Sequence, residues 1–187
     1  MSFLKSLPAD AGLLQIFQAF PAGARPLLEY HEVLLRGESP FSSAERELIA
    51  AYVSGLNNCH YCRAVHSQTA VALGIRADLI AQLLMSQQAD DVDPRMRPIL
   101  AFVRKLTLSP SKITATDIDP IFVAGWNDRA LHDATAICAL FNLMNRLVNG
   151  LSVEAPEAYT KLAAERLGAG GYAQLLNFLP ATKQHSQ

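Results

Sequence analysis

The sequence predicts an all-α protein, and three observations support that fold class. Apolar residues recur at intervals of three and four along most of the 187-residue chain, the spacing of amphipathic helices. Prolines and glycines interrupt these periodic segments at points where helices end. No segment shows the alternation of apolar and polar residues, or the clusters of β-branched residues, that indicate a sheet. We therefore expect a single helical domain over residues 1–187.

The composition limits the classes of function. Hydrophobic residues make up 50% and charged residues 18% of the chain, a balance that favours a packed core over disorder. The formal net charge is −1 and the basic residues are scattered singly, so no surface for nucleic acid or anionic lipid is predicted. The N-terminus lacks an apolar core of signal-peptide length, and no run approaches the ~18 apolar residues of a membrane span. We expect a cytoplasmic protein with no nucleic-acid or membrane partner, and its three cysteines should be reduced there.

The first two predicted helices are separated by prolines. Apolar residues follow helical spacing over residues 11–20, and we expect Pro21 to end this helix. Pro26 is expected to begin the second helix, which ends before Gly37. His31 lies in that helix. A single histidine there is more often a buried or interface residue with satisfied hydrogen bonds than a ligand.

A helix pair over residues 42–74 is the centre of the predicted structure. The segment Ser42-Ser43-Ala44-Glu45 has the pattern of a capping box and predicts the start of a helix that carries Glu47. Asn57 or Asn58 is expected to cap a second helix that runs over residues 59–74.

Three reactive side chains share one face of that second helix. Cys59, Cys62 and His66 fall at i, i+3 and i+7, a stripe about 60° wide. If the two helices fold back on each other, Glu47 meets this stripe. A carboxylate, an imidazole and a dithiol would then share one site.

The second helical half is predicted over residues 94–150 and C-terminal helices within 156–180. Thr114 is expected to start a short helix with Pro120 in its first turn. A linker is expected over residues 87–93. The predicted helices after the central pair are 76–88, 94–108, 114–124, from Asn127 or Asp128 to Gly150, 156–167 and 172–179.

The longest of these helices carries two further chemical features. Cys138 lies between apolar neighbours and is expected to pack as a small hydrophobic residue. Asn142, Asn145 and Asn149 form a polar stripe, which is more often a hydrogen-bonded seam between helices or subunits than a ligand site.

The spacing of the central residues resembles that of a known family. Glu47, Cys59, Cys62 and His66 form the pattern E-x11-C-x-x-C-x-x-x-H, which resembles the alkylhydroperoxidase AhpD-like branch of the carboxymuconolactone decarboxylase superfamily. RELIAAYVSGLNNCHYCRAVH is similar to that family's core, and FNLMNRLVNGL resembles the tail of its peroxidase-related members. AhpD itself has a histidine directly before the second cysteine, where this chain has Tyr61.

The resemblance implies an AhpD-like helical bundle with a defined activity. Members reduce hydroperoxides through the cysteine pair and need no bound cofactor or metal. An external dithiol, carried by a lipoyl group or a thioredoxin-like protein, regenerates the pair. Members form homo-oligomers, so a trimer or hexamer is expected, and apolar residues on more than one face of many helices also favour oligomerisation.

A thiol attacks a peroxide only as thiolate, so something must lower its pKa from about 8.5 or take its proton. The candidates are the N-terminus of the helix, His66, and Glu47 as the group that orients the imidazole. The helix terminus favours Cys59 as the attacking thiol, whereas the resemblance implies Cys62. We predict Cys62, which lies one turn from His66, with Cys59 as its resolving partner.

Other functions use the same residue types. A disulfide relay between proteins would need the dithiol without a peroxide rate. A zinc-stabilised interaction module is disfavoured because ligands at i, i+3 and i+7 of one helix span about 10 Å. Two inert core cysteines and a lyase of the carboxymuconolactone decarboxylase type are the remaining alternatives, although that lyase reaction needs no dithiol.

Overall fold

The computed structural model of the protein describes residues 2–86, 92–154 and 156–181. These ranges contain helices and no strand, which confirms the all-α fold class. None of these helices is both long enough and apolar enough to cross a membrane. Most of the predicted linker at 87–93 lies outside the described residues. The α-helices are α1 (Leu13–Ala19), α2 (Pro21–Arg36), α3 (Ser43–Leu56), α4 (His60–Ala72), α5 (Leu79–Ser86), α6 (Met96–Leu108), α7 (Ala115–Val123), α8 (Asp128–Gly150) and α9 (Glu157–Gly170), with 3-10 helices at Pro110–Lys112 and Ala173–Phe178.

The junction between α1 and α2 differs from the prediction. Pro21 is the first residue of α2, and Pro26, expected to begin that helix, lies inside it. A proline at the first helical position costs no hydrogen bond, because the N–H groups of the first turn have no partner within the helix. Phe20 takes a non-helical conformation and separates the two helices. The predicted break therefore lies one residue before Pro21.

Helix α3 forms the middle of the bundle. The predicted capping box at its start is confirmed, because Glu45 N–H donates to the Ser42 hydroxyl and Ser42 N–H donates to the Glu45 carboxylate. Every residue from Arg46 to Ser54 is buried. The helices that surround α3 include α4, α5, α6 and α8. A carboxylate at position 47 is therefore held deep in the protein.

The turn between α3 and α4 also differs from the prediction. Asn57 caps the C-terminus of α3, Asn58 has a φ of 52°, and Cys59 itself is the N-cap of α4. The prediction that Asn57 or Asn58 caps α4 is therefore wrong. The tight turn needs one residue in the left-handed backbone conformation, which asparagine adopts more readily than most residues. Gly74, at φ 108°, follows the end of α4 as expected for a glycine there.

The second half of the chain packs against α3 and α4, and most of its helices begin and end near the predicted residues. Asn127 caps α8, its side chain accepting a hydrogen bond from Ala130 N–H, and α8 ends at Gly150 as predicted. Helix α8 packs on α3 and α6, whereas α9 packs on α4. Pro120 is the sixth residue of α7, so the prediction of a first-turn proline is wrong. The C-terminal 3-10 helix packs on α2.

Candidate functional site

Glu47 is the centre of a buried hydrogen-bond network. Its side chain is 0% exposed, and its Oε2 lies 2.8 Å from Nδ1 of His66. Its Oε1 accepts hydrogen bonds from Arg36 Nη2 at 2.7 Å and from the Tyr172 hydroxyl at 2.8 Å. Burial alone would raise the pKa of Glu47, but the hydrogen bond from His66 and the charge and hydrogen bond of Arg36 outweigh burial and lower that pKa. The carboxylate is therefore ionised at neutral pH.

The ionised carboxylate determines the tautomer of His66. A carboxylate can only accept, so Nδ1 of the imidazole donates to Glu47 and Nε2 of the neutral ring keeps its lone pair. The ring packs edge-on against Phe141, with centroids 4.5 Å apart, and stacks on Tyr172 at 6.4 Å. Glu47 and His66, predicted from the sequence to meet, are brought together with Nε2 available as a proton acceptor.

Arg36 and Tyr172 also belong to this network, and no pattern in the sequence indicates either residue. Arg36 is the last residue of α2, and its guanidinium also donates to the carbonyl of Leu167 at the C-terminal end of α9. Tyr172 follows the end of α9, and its ring lies 5.1 Å from the Arg36 guanidinium. Burial, and then the negative charge of Glu47, raise the pKa of Tyr172, so its hydroxyl stays protonated and donates.

The two cysteines lie at the start of α4 as free thiols. Cys59 is 1% and Cys62 is 2% exposed. The pKa of Cys59 is lowered to about 7. Hydrogen bonds from the Cys62 thiol, the Cys62 backbone amide and the Asn145 side chain outweigh the effect of burial, which raises this pKa. The neighbouring Cys59 sulfur and burial raise the pKa of Cys62 well above its ordinary value. The pair therefore gives up its first proton near neutral pH, and the charge rests mainly on Cys59.

Asn145 links the dithiol to the interior of the bundle. Its Nδ2 donates to the Ser54 hydroxyl at 3.0 Å, and its Oδ1 accepts from Asn57 Nδ2 at 2.9 Å. Asn57 also donates to Asn142. The expectation of a polar seam between helices is confirmed for Asn142 and Asn145, which join α8 to the end of α3. The same network fixes the amide that faces Cys59.

A cavity of ≈ 120 Å³ adjoins Cys62 and His66. That volume approaches the engineered cavity of about 150 Å³ that holds benzene. Cys59 is not among the residues of its wall, so Cys62 is the thiol that faces the cavity. The lower pKa favours Cys59 as the attacking thiol, whereas contact with the cavity favours Cys62. Attack by Cys62 stays a prediction. The apolar wall residues include Leu13, Leu14, Phe17, Leu28, Val65 and Met144.

Comparison with known proteins shows what this chain is similar to. Residues 21–105, which span α2 to most of α6, match the model of the Carboxymuconolactone decarboxylase family. An uncharacterised peroxidase-related protein from Silicibacter sp. TM1040 is 28% identical with a TM-score of 0.73, over 79% of this chain and 78% of that chain. The chain is therefore similar to the AhpD-like proteins of the carboxymuconolactone decarboxylase family, and Glu47, Cys59, Cys62 and His66 all lie within the matched residues.

Two other solved structures share the fold. An AhpD-core, peroxidase-related protein from Ralstonia eutropha JMP134 is 24% identical, with a TM-score of 0.73, over 80% of this chain and 78% of that chain. The debrominase Bmp8, solved as a cysteine-to-alanine variant in complex with 2,3,4-tribromopyrrole, is 16% identical, with a TM-score of 0.69, over 82% of this chain and 81% of that chain. At these identities the likeness concerns the fold. No curated protein matches the sequence.

Two positions at which this chain departs from AhpD, His60 and Tyr61, adjoin Cys59 and Cys62 in the sequence. His60, one position before Tyr61, is exposed. Tyr61 takes the place of the AhpD histidine, and its ring lies in the cavity wall, 6.3 Å from the Tyr159 ring. Burial raises the pKa of Tyr61, so the phenol is neutral and cannot serve as the base that a histidine would be.

The remaining sequence candidates lie apart from the dithiol. Cys138 is fully buried, in hydrogen-bond contact with the Thr107 hydroxyl, and burial raises its pKa, as expected for a packed thiol. Among the residues that the structure describes, no group of three or more His, Cys, Asp and Glu side chains is arranged to hold a metal ion. The Glu47 carboxylate, considered as a zinc ligand, accepts hydrogen bonds from Arg36 and Tyr172.

Proposed function

We propose that the protein is a thiol-dependent peroxidase that reduces small organic hydroperoxides through Cys59 and Cys62, with His66 and Glu47 assisting proton transfer. One observation carries the proposal. The Glu47–His66 pair, held at 2.8 Å, lies in the same site as a dithiol whose member Cys62 faces an apolar cavity together with His66. A nucleophile, a base and the group that orients the base are the parts that thiol catalysis needs.

The first step is deprotonation of the dithiol. The pKa of about 7 places one negative charge on the pair near neutral pH, and His66 Nε2 can hold the proton released. The resulting imidazolium would donate from Nδ1 to ionised Glu47, which stabilises it. Transfer of the proton that remains on Cys62 to Cys59 moves the thiolate to the sulfur that faces the cavity.

Oxygen transfer follows. The Cys62 thiolate attacks the terminal oxygen of R–O–OH, so the O–O bond breaks, sulfur is oxidised to sulfenic acid and RO⁻ leaves. The alkoxide takes the proton from His66 to give ROH. The Cys59 thiol then condenses with the sulfenic acid, which forms the disulfide and releases water. An external dithiol reduces the disulfide.

The partners of this cycle are part of the proposal. Both thiols are almost fully buried, so a thin dithiol arm such as a lipoyl group suits the site better than a flat protein surface. Reducing cytoplasm would supply such dithiols. A homo-trimer or hexamer is proposed as the assembly. Exposed apolar side chains on α2, α7 and α8 are consistent with subunit contacts: Tyr30, Val33, Phe122, Val123 and Leu143.

A turnover assay tests the proposal. Cumene hydroperoxide and dihydrolipoamide are supplied to the reduced protein, and peroxide loss is measured. Turnover should vanish when Cys59 and Cys62 are both replaced by Ser. The matched control is Cys138→Ser, which removes a buried thiol outside the site and should retain activity. Undiminished turnover without Cys59 and Cys62 would refute the proposal.

A protein disulfide relay is the second candidate, and the acidity of Cys59 favours it. A pKa of about 7 is typical of the reactive thiol in C-x-x-C oxidoreductases. A relay would exchange disulfides rapidly with a dithiol protein and show negligible peroxide turnover. The turnover assay separates the two functions, since only the peroxidase consumes hydroperoxide catalytically.

A further inference from the structure

A second imidazole shares the cavity with Cys62 and His66. His31, on α2, is 3% exposed and forms part of the cavity wall. The sequence predicts a histidine with satisfied hydrogen bonds at this position. In the structure, only one of its two ring nitrogens has a hydrogen-bond partner among the described residues.

The hydrogen bond of His31 fixes its tautomer. Nδ1 lies 2.7 Å from the carbonyl oxygen of Leu27, one helical turn earlier. A carbonyl can only accept, so Nδ1 carries the proton and Nε2 of the neutral ring carries a lone pair. Among the described residues, Nε2 has no hydrogen-bond partner. Burial is the main cause that lowers the pKa of His31, to about 4, so the ring is neutral at physiological pH.

The ring is also held in place by its neighbours. Its centroid lies 5.3 Å from that of Tyr172, and 5.9 Å from that of Phe141 in an edge-on arrangement. The hydrogen bond to Leu27 and these two contacts restrain rotation of the ring. Nε2 is therefore a preorganised hydrogen-bond acceptor.

The other polar side chains of the wall have different roles or positions, and the hydroxyls of Tyr61 and Tyr159 are hydrogen-bonded to each other. The Tyr172 hydroxyl donates to Glu47, and so does Nδ1 of His66. Arg166 is exposed to solvent. An occupant of the cavity that offers a donor would therefore give His31 Nε2 a hydrogen bond that the protein itself does not supply.

We propose that the cavity binds compact, largely apolar molecules that carry an O–H group, and that His31 recognises this group by accepting its hydrogen bond at Nε2. The inference deepens the proposed peroxidase function and rests on it for the identity of the substrate. In that reaction the donor is the terminal O–H of an organic hydroperoxide, and the apolar wall receives the organic group.

This role is compatible with oxygen transfer to Cys62. The terminal oxygen carries its own hydrogen from R–O–OH into the sulfenic acid, so the same O–H donates to Nε2 before and after the O–O bond breaks. His31 gains and loses no proton in this step. It positions the oxygen that is transferred, whereas His66 handles the proton of the thiol and of the leaving alkoxide.

Two unreactive probes of similar size test the inference without any peroxide chemistry. Phenol offers an O–H group where toluene has a methyl group, and their affinities for the reduced full-length protein are measured by calorimetry. Replacing His31 by Phe should weaken phenol binding about tenfold, the usual worth of one hydrogen bond, and change toluene binding less than about threefold. His31→Gln, which retains an acceptor, should recover part of the difference. The control is His132→Phe, since His132 is exposed and is not a residue of the cavity wall.

The wild-type protein provides an independent readout if His31→Phe does not fold. The ¹⁵N resonance of His31 Nε2 should move upfield when phenol binds and stay in place with toluene. Equal changes in the affinities of the two probes, or an unmoved Nε2 resonance with phenol bound, would overturn the inference. Loss of hydroperoxide turnover in every assay would refute the proposed function and leave these binding results unaffected.

Discussion

Replacing Glu47 by Gln tests the buried network, because it removes one charge at nearly constant shape. In the native protein this carboxylate is 0% exposed and accepts from Arg36 at 2.7 Å and His66 at 2.8 Å. The amide oxygen of Gln can still accept from Arg36, but the ion pair is lost. Breaking a buried ion pair costs about 3–5 kcal/mol, and the retained hydrogen bond places our expectation near 3 kcal/mol, at the lower end of that approximate range.

The free energy of unfolding in urea at pH 7 measures this effect. Glu29→Gln is the matched control on the exposed side of α2, and it should change stability by less than about 0.5 kcal/mol. The difference between wild type and Glu47→Gln should also depend on pH. Because the folded-state pKa of Glu47 is lowered, its contribution is present above the unfolded pKa of about 4.3 and is lost as pH falls through the folded pKa. A loss below about 1 kcal/mol at pH 7 would refute a charged network.

The remaining predictions concern the thiols and the assembly. Cys59→Ser should consume one equivalent of hydroperoxide and stop at a sulfenic acid that dimedone traps, whereas Cys62→Ser should react much more slowly; sulfenic acid only on Cys59 would reverse the roles. Iodoacetamide alkylation of Cys138→Ser should show a midpoint near pH 7, and Asn145→Ala should move that midpoint upward, because it removes a hydrogen bond that lowers the pKa of Cys59. An unmoved midpoint would show that Asn145 does not stabilise the thiolate. Light scattering at micromolar concentration should give the mass of a trimer or hexamer, and a monomer would contradict the proposed assembly.

Local sequence patterns predicted most of the fold. The capping box at Ser42 and the start of α8 after Asn127 were correct because side-chain caps act within one helical turn, whereas Gly150, read from the sequence as the C-terminal cap, is the last helical residue and Leu151 is the cap. The errors at Pro21 and Pro26 have a common origin. Proline is compatible with both the end of one helix and the first turn of the next, and tertiary packing decides between them.

The site was predictable only where its residues share an element or a motif. Cys59, Cys62 and His66 lie together because one helix spaces them. Arg36 and Tyr172 reach Glu47 from elements separated in sequence by 11 and 125 positions, and no local pattern encodes such contacts. The acidity of Cys59 likewise depends on Asn145, on another helix.

The acceptor role of His31 could not be predicted from the sequence, for a different reason. A histidine on an apolar helix face is usually satisfied on both sides, and the sequence alone does not show which ring nitrogen has a partner. The 2.7 Å contact with Leu27 occupies one nitrogen, and the cavity beside Cys62 gives the other nitrogen room for a ligand.

Mass spectrometry after a single turnover tests the central claim most directly. Reduced Cys138→Ser protein is mixed with one equivalent of cumene hydroperoxide in the absence of any reductant, and its thiols and peptides are mapped. We predict loss of both thiols, an intramolecular disulfide between Cys59 and Cys62, and one equivalent of cumyl alcohol. Intact thiols with the hydroperoxide unconsumed would contradict the claim that this dithiol reduces peroxides.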